Sequence, residues 1–314
     1  LRILTSYQFQ NTPSKLSIDY RSPLSLNNIS FNTVQGWNLK AGLNARLGAF
    51  EKGQLTTASV LFNYGFSDKT LYTTGNISHR FNTTNNAQLT LSGGNKIQQF
   101  NADEPITPFI NMISSLFFKD NYMKVYGSQF IAASYNQYVH PNIKVYSTLS
   151  YQKRTNLYNN SDYAFSKKER EYTANNPLDP SQSLTDAFLT NNTLKGTVAL
   201  ALFFKTKIEK LPHTIIYHHD NKYPALTFSY TNALYSNIES YKYQELRTSI
   251  RQDISFNNKG FFGYKVNAGT FLKAKDMSFI DYKHFNGNQT HVETTNRYLN
   301  SYLSLPYYTF STNK

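Results

Sequence analysis

Ser278, Asp281 and His284 lie close together and are the side chains of this chain best suited to hydrolysis. A hydroxyl, an imidazole and a carboxylate can serve as nucleophile, general base and orienting group, provided each reaches the next by a hydrogen bond. In an extended segment, however, Asp281 and His284 project to opposite faces, because strand side chains alternate. His218 and His219, which precede Asp220, have the same defect as a metal pair. No Gly-x-Ser-x-Gly elbow, His-Glu-x-x-His pair or phosphate-binding loop occurs. The chain holds no Cys, which excludes thiolate metal sites and disulfides. The expectation is a protein without catalysis, cofactor or metal, with a hydrolase built on Asp281 and His284 as a rival.

A second set of charges is more informative. Lys40, Arg46, Arg80, Arg154, Arg247, Arg251 and Asp253 each fall on the polar face of an alternating segment. Charges enclosed by protein need partners or water. They are expected to line a wet lumen, either as a polar channel or as a docking surface for a plug; a salt-bridged wall that stiffens the fold is the plainer alternative. His284, Phe285, Asn286, Gly287 and Asn288 are expected to turn inward and dock near Arg247 or Arg251. Gly287 permits a tight backbone there, and the Asn side chains can bond backbone or wall. An ordinary hairpin tip is the rival.

The elements that must carry these residues are short and alternating. Trp37, Leu39, Ala41, Leu43, Ala45, Leu47 and Ala49 take odd positions, with Asn38, Lys40, Asn44 and Arg46 between them. The phase then shifts to Ala58, Val60, Phe62, Tyr64 and Phe66. Period-two alternation places one set on each face of a strand. Further strands are expected over residues 71–81, 87–95, 122–135, 143–154, 194–207, 225–235, 243–256, 261–272, 277–285 and 298–308, about twelve in all. Segments of roughly ten residues span a bilayer when tilted, and antiparallel neighbours must close so that no edge is left unpaired in lipid. The fold class predicted is therefore all-β, a transmembrane antiparallel up-and-down β-barrel formed by residues 1–314 as one domain.

Three stretches interrupt the rhythm, the last of them residues 207–223, with Pro212 and the run His218-His219-Asp220. Residues 101–120 hold Thr107-Pro108 followed by apolar residues at helical spacing, which predicts a short helix or plug. Residues 155–193 are polar, contain Pro177 and Pro180, and read as a long extracellular loop. Both chain ends are expected to be cuts within a longer protein.

Composition agrees. Charged residues make up 16% and aromatics 16%, whereas soluble domains carry closer to 25% charge. The net charge of +13 is spread along the chain rather than clustered, which argues against nucleic acid. Lumen lining or contact with anionic lipid headgroups accounts for it better.

Several longer motifs carry a resemblance: residues 31–37 (FNTVQGW), 121–126 (NYMKVY), 278–288 (SFIDYKHFNGN) and Leu305-Pro306-Tyr307-Tyr308 followed by Ser311-Thr312-Asn313. From about residue 25 onward the chain resembles the barrel part of Bacteroidota outer-membrane proteins of unknown function that carry an N-terminal carboxypeptidase-regulatory-like domain. The resemblance implies a cell outer-membrane location and a small β-sandwich preceding residue 1. A more remote likeness is to the surface-antigen superfamily of barrels that insert or translocate proteins, in which an Arg-Gly-aromatic loop meets charges on the wall. No such tripeptide occurs here. The function expected is a surface-antigen-like component of protein assembly or export, with periplasmic or client proteins and outer-membrane lipid as partners. A structural or ligand-binding receptor barrel is the alternative, and a soluble β-sandwich or adhesin a more distant one.

Overall fold

A computed structural model describes residues 6–11, 15–49, 54–81, 84–182, 184–211, 214–256, 260–274, 276–290, 301–303 and 305–314. The elements are β1 (Tyr7–Asn11), β2 (Leu16–Arg21), β3 (Ile29–Asn32), β4 (Gly36–Ala49), β5 (Gln54–Gly65), β6 (Leu71–Arg80) and β7 (Gln88–Gln99), then the helix α1 (Pro108–Ile113). There follow β8 (Val125–His140), β9 (Ile143–Thr155), β10 (Asn191–Leu202), β11 (Lys207–Leu211), β12 (Thr214–His218), β13 (Ala225–Ser236), β14 (Gln244–Ser255) and β15 (Phe261–Phe271). Four two-residue strands close the chain: β16 (Lys283–His284), β17 (Gly287–Asn288), β18 (Tyr302–Leu303) and β19 (Ser311–Thr312).

The fold is all-β around one antiparallel sheet of 13 strands, in the order β1-β2-β4-β5-β6-β7-β8-β9-β10-β13-β14-β15, with β3 paired to the start of β4. Along this path each strand pairs with the next in sequence, except that β2 pairs β4 past β3 and that the hairpin β11–β12 is inserted between β10 and β13.

Register sorts the two faces by chemistry. Ala58 stands opposite Ile77, Ile77 opposite Leu91, Leu91 opposite Ala133, and Ala133 opposite Leu149, so that apolar side chains form continuous rows. These rows are uncovered: Ile77 is 56% and Ile131 66% exposed. The reverse face carries hydroxyls in register, with Ser78 bonded to Thr90 at 2.9 Å, Ser134 to Thr148 at 3.0 Å and Thr197 to Thr231 at 3.1 Å. Cross-strand Thr and Ser pairs of this kind stabilise a sheet without an apolar core.

What core exists lies at one end of the polar face, where the connections are long. Phe100, Tyr126, Phe188 and Ile280 form one buried cluster, and Val34, Ile106, Met123 and Val125 a second. Thr107 caps α1, its hydroxyl accepting from the amide of Ile110 at 3.2 Å, with Pro108 in the first turn. The described residues of 156–190 form no strand or helix; Asn175 ties the stretch down by donating to the carbonyls of Val125 and Leu157, both at 2.6 Å. At the opposite end the β11–β12 hairpin leans over the polar face, where Tyr217 stacks on Tyr138 at 3.8 Å and donates to the Thr84 carbonyl.

Among the described residues, the strands expected at 277–285 and 298–308 do not join the sheet. Residues 277–282 make a loop with a 3-10 turn, and the pairs β16–β19 and β17–β18 form small separate ladders. The reason is visible in burial. Met277, Ser278, Ile280 and His284 are all enclosed, so this stretch has no uncovered apolar face to present as a sheet strand does. Residues 291–300 lie outside the described set.

Candidate functional site

After β15 the chain returns across the polar face, and Asp281 fixes it there. The 3-10 turn Phe279–Asp281 buries Ile280 and aims the carboxylate at the sheet. Arg154, at the end of β9, grips Asp281 with both guanidinium nitrogens, Nη1 to Oδ2 at 2.6 Å and Nη2 to Oδ1 at 2.9 Å. Lys195 Nζ on β10 donates to Oδ1 at 3.0 Å, and the hydroxyl of Tyr243, just before β14, donates to the same oxygen at 3.2 Å. A register shift between Leu194 and Lys195 in the β10–β13 pairing sits beside the lysine.

The side chains of Arg154 and Asp281 are 0% and 3% exposed. Burial would drive the Asp281 carboxyl upward, but Arg154 and Lys195 outweigh it and hold the group well below the usual carboxylate range. Arg154 has no acid on its own strand to meet this need, whereas Arg247 takes Glu245 at 2.5 Å and Arg251 takes Asp253 at 2.9 Å, each two residues along the same face.

Further ties extend the dock. Lys283 pairs with Asp103 at 3.0 Å, and Asn286 accepts from Asn101 at 2.7 Å while donating to Asp103 at 3.3 Å. Backbone bonds join Phe285 to the Phe310 carbonyl and Asn288 to that of Leu305. Gly287 permits this closeness: a Cβ there would stand 2.4 Å from the Leu305 carbonyl oxygen. The segment thus meets the sheet through Asp281, with Arg154 and Lys195 as its sheet partners. Arg247, paired with Glu245, lines one cavity with Lys283, His284, Phe285 and Asn286, whereas Arg251 pairs with Asp253.

The other singled-out charges share that polar face. Lys40 stands opposite Asn63, Arg46 opposite Thr57 and Arg80 opposite Gln88. Arg46 also faces Asp19 at 3.6 Å.

Ser278, Asp281 and His284 are brought near one another without forming a relay. The carboxylate is taken by Arg154, Lys195 and Tyr243, and the buried Ser278 hydroxyl has no hydrogen-bond partner. His284 Nδ1 meets Ser311 Oγ at 2.7 Å, and that hydroxyl donates to the Tyr308 carbonyl, so Nδ1 carries the proton. Burial against Phe279 and Tyr308 pushes the imidazole down to about 4. His218 bonds Glu209, while His219 meets Tyr138 and Thr206; no cluster of three or more metal-ligating side chains occurs among the described residues.

Sequence reading passed over Lys195, Tyr243 and the buried Lys124. Lys124 donates to Thr173 Oγ1 at 2.7 Å, and burial pushes it down to about 7. One signal was available for the main site: Arg154 lies on a polar face whose strand offers no acid, and a buried guanidinium needs one.

In comparison with known families, residues 1–314 match the C-terminal domain of a family of unknown function, DUF5686. The chain belongs to this family. No curated protein and no solved structure matches it. The match spans the whole sheet and the docked segment of this DUF5686 domain, and assigns neither an activity.

Proposed function

We propose that this domain is a cell outer-membrane β-barrel, stoppered from within, that serves protein assembly or export in a surface-antigen-like manner. The carrying observation is the docking of the 278–288 segment onto the polar face through Asp281, Arg154 and Lys195. A charged latch of this kind suits a stopper that must hold in one state and release in another. The arrangement reverses the polarity of the likeness noted above, placing the carboxylate on the loop and the arginine on the wall.

The two-faced sheet supports the membrane part of the reading. Lipid would cover the apolar rows, water and the docked segment the polar face, and β1 and β15 would be joined directly or through further strands. Trp37, Tyr163, Phe165 and Phe117 form a chain of ring contacts at the long-loop end, as an interfacial aromatic girdle would. Anionic headgroups are the proposed partners of the basic residues at the rims.

Depletion of the protein in its native cells, followed by quantitation of outer-membrane proteins, tests the assembly reading. Selective loss of particular barrel or exported proteins is expected. An unchanged protein complement together with loss of one solute's uptake would contradict it and favour a receptor barrel.

A further inference from the structure

The β11–β12 hairpin is anchored on one side only. β12 makes the attachments: Tyr217 stacks on Tyr138 at 3.8 Å and donates to the Thr84 carbonyl, and the Ile215 carbonyl accepts from the Asn86 side-chain amide at 3.4 Å. Just beyond β12, His219 stacks on Phe203 at 3.7 Å. β11 makes none of these contacts, and all five of its residues are exposed. Its ladder partner is β12, and among the described residues no other strand pairs with its outer edge.

The direction of the free backbone groups follows from the register. Ile215 stands opposite Lys210, and its carbonyl points away from β11 to meet Asn86. In an antiparallel pair the facing residue has the same orientation, so Lys210 turns its N–H and C=O to the outer edge, as does Ile208 two residues earlier. Side chains alternate, with Ile208 and Lys210 on one face and Lys207, Glu209 and Leu211 on the other. Ile208 and Leu211 are 43% and 42% exposed, so each face offers one uncovered apolar residue and one lysine. Glu209 is taken by His218 at 2.7 Å, whereas Lys207 and Lys210 form no ion pair among the described residues. Lysines along a sheet edge repel basic strands and favour acidic ones.

We propose that the outer edge of β11 docks an extended segment of a partner protein, which adds as a third, antiparallel strand. Its acidic residues stand opposite Lys207 and Lys210 and its apolar residues opposite Ile208 and Leu211. Fixing β12 to the sheet preorganises this edge and lowers the ordering cost of binding. The proposal goes beyond the stopper reading and does not depend on it, because the hairpin stands outside the 13-stranded sheet.

Fluorescence anisotropy of a labelled peptide, Leu-Glu-Thr-Val-Glu, titrated with the purified protein in detergent tests it; the peptide is written to run antiparallel from Leu211 to Lys207. Saturable binding is expected. N-methylation of the Glu and Val opposite Lys210 and Ile208 should abolish it, because theirs are the amides that face β11, whereas N-methylation of the Thr should leave it. Lys207→Glu and Lys210→Glu should each weaken it about fivefold or more. Ile208→Pro should abolish it while the hairpin keeps its own ladder, since the lost amide lies on the outer edge, and the strand signal in circular dichroism should be unchanged. Lys69→Gln, exposed between β5 and β6, should leave the affinity as it is. Absence of saturable binding would overturn the proposal, as would binding indifferent to the paired N-methylation or equal binding by the parent and Ile208→Pro.

Discussion

Replacing Asp281 by Asn removes one negative charge from a site that holds the fully buried Arg154 and the half-buried Lys195. Arg154 makes two bonds to the carboxylate, and Lys195 adds a third at 3.0 Å. At charge separations near 4 Å and an effective dielectric of about 20, each pair is worth roughly 4 kcal/mol of attraction before desolvation is counted. Deleting one partner of a buried pair costs about 3–5 kcal/mol, because the other is left uncompensated. Asp281→Asn should therefore free the 278–288 segment while the sheet persists. Limited proteolysis should cut within that segment, with far-ultraviolet circular dichroism little changed. In an Arg154→Gln background the same substitution should cost less, by about 2 kcal/mol or more of coupling. Undiminished protection of the segment, or strictly additive effects in the double variant, would refute the latch.

Other expectations follow from particular contacts. Leu43→Arg should destabilise the protein in bilayers by roughly 2–4 kcal/mol and Asn44→Arg by clearly less, read by urea unfolding in lipid vesicles. His284 is held neutral down to about 4, so stability should fall as pH drops from about 6.5 to about 4, by on the order of 3 kcal/mol; thermal melts should show this window vanish in His284→Phe. Lys124 contributes a separate rise as pH climbs above about 7, which Lys124→Met should remove from the same melts. Gly287→Ala should raise proteolysis of the docked segment, since its Cβ would meet the Leu305 carbonyl at 2.4 Å.

Much of the sheet was legible because alternation is local. Strands over residues 37–49, 71–81 and 261–272 read directly as period-two runs, and β4, β6 and β15 lie there. The Thr107-Pro108 pair likewise marks the start of α1. The β11–β12 hairpin escaped because its five-residue strands are too short to show a period. The latch escaped for a different reason: Arg154 and Asp281 are 127 residues apart, and no local pattern encodes a contact of that range. Residues 277–285 have β-type composition but do not join the sheet, because the burial of Met277, Ser278, Ile280 and His284 belongs to a segment packed between sheet and loops.

The central claim is that one face of the sheet meets lipid and the other does not. The chain has no Cys, so single cysteines can each carry a bimane fluorophore without background labelling. Labels at Leu43, Ile131 and Val198, and at Asn44, Ser92 and Thr197, should be compared in vesicles containing lipids brominated along their acyl chains. Strong quenching at the first three positions and little at the second three is the expected result. Equal quenching of both sets, or none in either, would contradict the account.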